Sequence, residues 1–361
     1  MSKRPQTPRW RSRRAVLAGL SAASALSVVP GCGQIDLPVS GAASSKDGPK
    51  KSALMLPLSG SSAELGQVLQ SAATLGGGPG IGIEIIDSGS TPETAVAAAK
   101  RAVDAGAQML MGPVFSAQTE AVGQAVRVPV VSLSNNTALA GNGVFVFGVT
   151  PEQSARAVLS IAAQRNLREV AVVVPPGAFG ARSGAAAQSV GKGLGLTVRP
   201  VVTLADASGV IAAVSKPLPD AVYLPVADAA LPSFAAALRG SGVQLLGSTQ
   251  WSALDLSGNR AFRDAWFAAP DPLRFAAFDQ AFSQATGQPG GIISGLTFDS
   301  VELLRILGQT NSLSLRGLTN KDGFTGVVGP YRFQRSGLCQ RGLGVVRVGA
   351  GDLNLIGSTS V

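Results

Sequence analysis

Residues 108–137 read QMLMGPVFSAQTEAVGQAVRVPVVSLSNNT. Two short apolar runs, 108–112 and 129–133, have strand length, and 117–126 between them has the length and content of a helix. Punctuated by Gly112-Pro113 and by Ser134-Asn135-Asn136-Thr137, the stretch spells strand, crossover helix, strand. That unit makes neighbouring parallel strands, because a parallel pair needs a long connection between its members.

The same rhythm runs outward in both directions. Residues 53–57, 83–87 and 144–148 read as further strands, and 63–75 and 92–105 as helices. Thr91-Pro92-Glu93 and Thr150-Pro151-Glu152 each place a hydroxyl cap, a proline at the first helical position and an acid at the positive end of the helix dipole. Gly106 closes the helix over 92–105. A second series follows, with strands over 169–174, 196–202, 221–226 and 243–247 and helices over 181–191, 207–214 and 229–239. After an extended break at 266–272 come helices over 273–286 and 292–307, then an antiparallel set over 323–327, 331–334 and 344–348.

The predicted fold class is therefore α/β, with two doubly wound parallel-sheet lobes, a hinge and an interlobe cleft. Residues 52–148 with about 270–322 are expected to form lobe 1, and 149–269 with about 323–361 lobe 2.

The first residues are written differently. Lys3, Arg4, Arg9, Arg11, Arg13 and Arg14 precede a small-residue apolar stretch over 15–29, too short for the roughly 20 residues that span a bilayer. The order of charge, apolar core and small residues makes 1–31 a signal peptide. Arg13-Arg14 is similar to a twin-arginine export signal, and Val29-Pro30-Gly31-Cys32 to a lipobox that would put a lipid on Cys32. Residues 32–51 then read as the lipidated start of the mature chain and a flexible Ser/Gly/Pro/Lys tether. Six of the 30 basic residues lie in the removed segment, leaving 24 against 21 acids. The apparent basicity is thus a property of the signal, and nucleic acid is not an expected partner.

At the strand ends of lobe 1 the candidate binding residues are Ser59, Ser61 and Ser62, then Phe115 and Ser116, then Ser134, Asn135 and Asn136. Hydroxyl- and amide-rich loops that open helices suit a carboxylate or other small anion. Each of Ser62, Ser116, Asn135 and Asn136 is equally readable as a helix cap or turn residue. Lobe 2 offers Phe179, Asp228, Gln250 and Trp251, whose aromatics either stack on a ligand or close an apolar rim.

The chain has no histidine, which removes the commonest general base and metal ligand together with Ser-His and Cys-His nucleophile pairs. No Gly-x-Ser-x-Gly elbow or phosphate loop occurs, and the glycine run 76–80 precedes a strand, as a connector does. No enzyme, cofactor or metal is expected.

From residue 52 to about 348 the chain resembles type I periplasmic binding proteins of the leucine/isoleucine/valine-binding group. The resemblance is carried by Leu56-Pro57-Leu58-Ser59-Gly60 with Leu65-Gly66, then Met111-Gly112-Pro113-Val114-Phe115-Ser116 and Val131-Ser132-Leu133-Ser134-Asn135. Thr150-Pro151-Glu152-Gln153, Gly323-Phe324-Thr325-Gly326, Gly329-Pro330-Tyr331-Arg332-Phe333 and Gln340-Arg341-Gly342-Leu343 look most like penicillin-binding protein activator lipoproteins. That likeness implies a non-catalytic periplasmic lipoprotein that activates or scaffolds a peptidoglycan synthase, without the extra helical domain of better-studied activators. The alternative it implies is a solute receptor partnered with an ABC permease, for amino acids or small carboxylates. Amino-acid carriers of this fold place an acid where this chain has Gln250, so a zwitterion would lose a bond typically worth about 1.5–3 kcal/mol unless Asp228 reached across. In a two-membrane host, Gly33-Gln34 after Cys32 lacks the aspartate that retains lipoproteins at the inner membrane, which directs the expectation to the outer one.

Overall fold

A computed structural model of the chain describes residues 51–77, 82–215 and 217–361. Arg13, Arg14, Cys32 and the tether up to residue 50 lie outside the described residues, as does most of the glycine connector.

Strands β1 (Lys51–Leu56), β2 (Ile83–Asp87), β3 (Ala107–Met111), β4 (Val130–Ser132) and β5 (Val144–Val146) form an all-parallel sheet in the order β2-β1-β3-β4-β5. Helices α1 (Ala63–Leu75), α2 (Pro92–Asp104) and α3 (Ser116–Ala125) connect the first four. The alternation of side chains along β1 explains its apolar run. Ala53 and Met55 join the core beneath α2 and α3, while Leu54 and Leu56 join the core on the opposite face. With both faces covered, every inward position must be apolar, and a fully buried leucine contributes about 1.5–3 kcal/mol. Both proline-led helix starts form as capping boxes: Thr91 Oγ1 accepts from Thr94 N at 3.3 Å, and Thr150 Oγ1 from Gln153 N at 3.3 Å.

The second sheet begins after α4 (Pro151–Gln164). It contains β6 (Glu169–Val174), β7 (Thr197–Val198), β8 (Val202–Thr203), β9 (Ala221–Leu224), β10 (Gln244–Gly247) and β11 (Trp266–Ala269), all parallel, with α5 (Ala178–Gly193), α6 (Val210–Val214) and α7 (Leu231–Leu238) between them. The single strand expected over 196–202 is two short ones on β6. Pro200 separates them, and proline has no N–H to continue a ladder. The helix expected from 207 starts later, after Gly209 in the left-handed region at φ 74°.

The chain then returns to the first sheet. Helix α8 (Pro272–Thr286) is capped by Asp271, and α9 (Ile292–Gln309) packs on α1, β1 and β2. After α10 (Leu315–Leu318), the antiparallel set expected at the end is divided between two places. Strands β12 (Phe324–Gly326), β13 (Gly329–Phe333) and β14 (Cys339–Arg341) make a small sheet of their own, while β15 (Gly344–Val348) pairs antiparallel with β11 and is edged by β16 (Leu353–Ser358). Burial explains the division. β13 buries alternate residues, as a one-sided strand does, whereas β15 is buried at four of its five positions and needs a sheet covered on both faces.

Tyr331 and Phe333 of β13 meet Phe147, and Phe333 meets Phe145, at centroid distances of 4.8–5.8 Å. The turn between β13 and β14 lies along β5. Val146 N donates to Gly337 O at 2.8 Å, and a Cβ at Gly337 would come within 2.2 Å of Val144 O. Between the two large sheets the chain passes at 147–150, 269–272 and 342–343. Among the described residues no helix is long and apolar enough to cross a membrane.

Candidate functional site

The loops after β3, β4 and β10, the crossing at Gly148-Val149 and the start of α9 enclose a cavity of about 490 Å³. Phe115, Ser116, Ser134 and Asn135 line it from the first sheet and Gln250 from the second. The floor is a pair of hydroxyls. Ser116 Oγ and Ser134 Oγ are 2.9 Å apart, and Asn136 N donates to Ser134 Oγ at 3.2 Å.

Beneath them a second hydroxyl pair fixes the loop: Ser132 Oγ and Thr119 Oγ1 lie 2.7 Å apart, Ser134 N donates to Ser132 Oγ, and Thr119 Oγ1 to Phe115 O. Two glycines let the backbones approach. Gly112 has φ +89° and precedes a cis Pro113, and a Cβ on it would lie 2.4 Å from Met55 O; a Cβ on Gly148 would lie 2.4 Å from Ser134 O.

Across the cavity Gln250 is exposed, and its N–H donates to Ser248 Oγ at 3.1 Å. Thr249 is tied to Ser154 of α4 by a 3.0 Å hydroxyl contact. None of the lining residues carries a charge, and Val114, Leu133, Val149, Ile292, Ile293 and Leu296 make much of the wall apolar. The arrangement can hold a small, largely apolar molecule through neutral donors. It offers no charged side chain to an ammonium group and no acid–base pair for chemistry.

Residues 53–352 match the periplasmic binding protein family. The chain belongs to this family. No curated protein sequence matches it significantly. Among solved structures, a proposed branched-chain amino acid ABC transporter from Rhodospirillum rubrum is similar with a TM-score of 0.76 and 22% identity over 85% of this chain and 99% of that one. Full-length LpoA from Haemophilus influenzae gives 0.69 at 18% identity, covering 86% of this chain and 59% of LpoA. A solute-binding protein of an ABC transporter from Rhodopseudomonas palustris BisB5, in complex with 3,4-dihydroxybenzoic acid, gives 0.65 at 17% identity over 86% and 97%. At these identities the likeness is one of fold.

In this periplasmic binding protein the remaining candidate residues lie elsewhere. Ser59 and Ser61 are exposed and outside the cavity lining, and Ser62, at the start of α1, makes no capping bond. Ser59 serves Asp87 at the end of β2. Partial burial pushes the Asp87 carboxyl up, but the Ser59 hydroxyl and the N–H groups of Gly89, Leu58 and Ser59 hold it below the usual range. Asn136 caps the short turn at Thr137–Leu139. Asp228 accepts from Ala230 N at 2.9 Å ahead of α7, and Phe179 sits 5.9 Å from the Arg182 guanidinium. Neither of these two lines the cavity.

Trp251 is fully buried in the second sheet's core. It is edge-on to Phe262 at 5.2 Å, donates Nε1–H to Leu224 O at 2.9 Å, and lies over Gly247, where a Cβ would come within 2.2 Å of its ring. Residues that sequence reasoning did not single out include Gly148, Ser252 and the start of α9 at Gly291-Ile292. The Pro289-Gly290-Gly291 run before an apolar helix is the one local signal for the last of these.

A second polar cluster lies where α9 meets the small sheet. Asp299 is 1% exposed and accepts from Val327 N at 2.7 Å and Val328 N at 3.2 Å. Arg341 is 5% exposed, donates to Phe147 O at 2.9 Å and stands over the rings of Phe147 and Tyr331 at 4.6 and 5.1 Å. Burial pushes Asp299 up to about 6 despite the nearby Arg341 charge and the two N–H donors. Burial likewise pushes the Cys339 thiol up to about 11, against the Arg341 charge. Closed off from solvent, these groups act on the fold. Among the described residues no group of Cys, Asp or Glu could hold a metal ion.

Proposed function

We propose that this periplasmic binding protein works without catalysis, as a lipoprotein anchored through Cys32 that activates or scaffolds a peptidoglycan synthase of the penicillin-binding class. The observation that carries the reading is the uncharged cleft, lined by Gln250 at the position where the resemblance to amino-acid carriers implies an acid. Further support comes from the terminal motifs of activator type, 323–343, which build the small sheet behind β5, and from the fold similarity to LpoA. A purified bifunctional synthase from the same host is expected to polymerise glycan faster when the chain is added. An unchanged rate rejects the activator reading. Cys32→Ala should shift the chain from the membrane to the soluble fraction.

The cavity itself favours a second reading, a receptor for a small apolar carboxylate that delivers it to an ABC permease. The neutral donors of Ser116 and Ser134 fit a carboxylate, and the apolar wall fits a body without an ammonium group. Calorimetric titration with benzoate and with leucine separates the two readings. A benzoate-selective response favours the receptor, and no heat with either rejects it for these solutes.

A further inference from the structure

A second cavity, of about 340 Å³, adjoins the cleft and shares Ser252 and Ile292 with it. Its volume lies within the range of about 300–1,000 Å³ common to small-molecule pockets. Leu254, Leu256, Phe267, Val346 and Leu353 wall it from the second sheet's side, and Phe275 of α8 faces them. Two of these walls stand partly in water, Leu254 at 38% and Leu353 at 46% exposure, so a bound apolar body would remove them from solvent.

One lining residue is charged. Asp279 of α8 is half-buried, and its Oδ1 accepts from Gly290 N at 2.6 Å. Gly290 makes that bond reachable, since a Cβ there would come within 2.8 Å of the Phe278 ring and 3.2 Å of Asp279 Oδ1. The bond fixes the direction of the carboxylate, and among the described residues no basic side chain forms an ion pair with it.

An apolar wall around one oriented carboxylate selects by charge. Pairing with a cation strengthens in a low-dielectric pocket, and an anion is repelled by the same physics. We propose that this cavity is a binding site for a small amphiphile carrying one positive charge, an alkylamine or arylalkylamine. Its apolar body would lie among Leu256, Phe267 and Phe275 and its ammonium on Asp279. The site is independent of the synthase and carboxylate readings of the cleft. Because its walls come from both sheet layers and the 269–272 crossing, an occupant bridges them at the hinge.

The test is a ligand-observed NMR titration of the full chain, Asp279→Asn and Ala276→Trp with octylamine, octanol and octanoate. Octylamine should bind at least tenfold tighter than octanoate, with octanol between. Asp279→Asn should weaken octylamine about tenfold and leave octanol unchanged. Ala276 is exposed on α8 and lines the cavity, so a tryptophan there should fill the space and block all three ligands. Should that variant fail to fold by circular dichroism, the Asp279→Asn comparison decides alone. Failure of octylamine to bind, octanoate binding as tightly as octylamine, an unaltered Asp279→Asn, or octylamine retained by folded Ala276→Trp each overturns the proposal.

Discussion

The cleft floor and the junction behind β5 are both polar, yet they are built in opposite ways. Ser116 and Ser134 meet as neutral hydroxyls, with the Asn136 N–H donating to Ser134 Oγ and the Ser132 hydroxyl accepting from Ser134 N. Asp299 and Arg341 are charged groups shut away from solvent, where burial outweighs their mutual attraction enough to lift the carboxyl. At these two places charge is committed to architecture, and the lining of the cleft is neutral. A buried charge is costly to strand, whereas a buried hydroxyl is cheap to remove, so the two regions should respond to substitution on different scales.

The largest expected effect is at Arg341. Arg341→Ala deprives Asp299 of its nearby positive charge and removes the bond to Phe147 O and the packing on two rings. Urea denaturation should show a loss of about 2–4 kcal/mol, from one hydrogen bond with a charged donor and two desolvated cation–π contacts. A loss below about 1 kcal/mol would erase the contrast between the regions.

Asp299 sharpens the same contrast through pH. Its ordinary value is 3.8 and its folded value about 6, so the native state holds this proton more tightly than the unfolded chain does. The contribution to stability is fully present below about pH 4 and is lost as pH rises through about 6. At neutral pH the fold carries a penalty on the order of 3 kcal/mol from this group. Between pH 4 and 7 the stability of the parent chain should therefore fall relative to Asp299→Asn. Parallel pH profiles for the two would contradict the assignment.

The smallest effect is expected in the cleft. Ser116→Ala or Ser134→Ala should change unfolding free energy by about 1 kcal/mol or less. If the cleft takes a carboxylate, calorimetry with benzoate should register the same substitutions as a loss of affinity with the melting temperature nearly unmoved.

Much of the fold was readable because its signals are local. A capping box needs only Thr150 and Gln153, and the β3-α3-β4 unit announces itself in thirty consecutive residues. Pro200 could have been read as a strand break, since the missing N–H belongs to the residue itself. Trp251 was ambiguous for a different reason: its seat depends on the absent side chain of Gly247, four residues earlier, and nothing in composition says which face of the loop the indole takes. Asp299 and Arg341 were not readable at all, because their environment is assembled from α9, β13, β14 and Phe147, segments separated by up to nearly two hundred positions. The wall of the cleft made by α9 is hidden for the same reason.

The turn at Gly337 has a consequence for the life of the molecule in company. β5 is the outermost strand of the first sheet, and an uncovered outer strand invites pairing with any extended segment it meets. By laying Gly337 O against Val146 N, the chain hems that border with its own backbone. No side chain fits there without displacing the turn, so one missing Cβ guards the first sheet against growing into its neighbours.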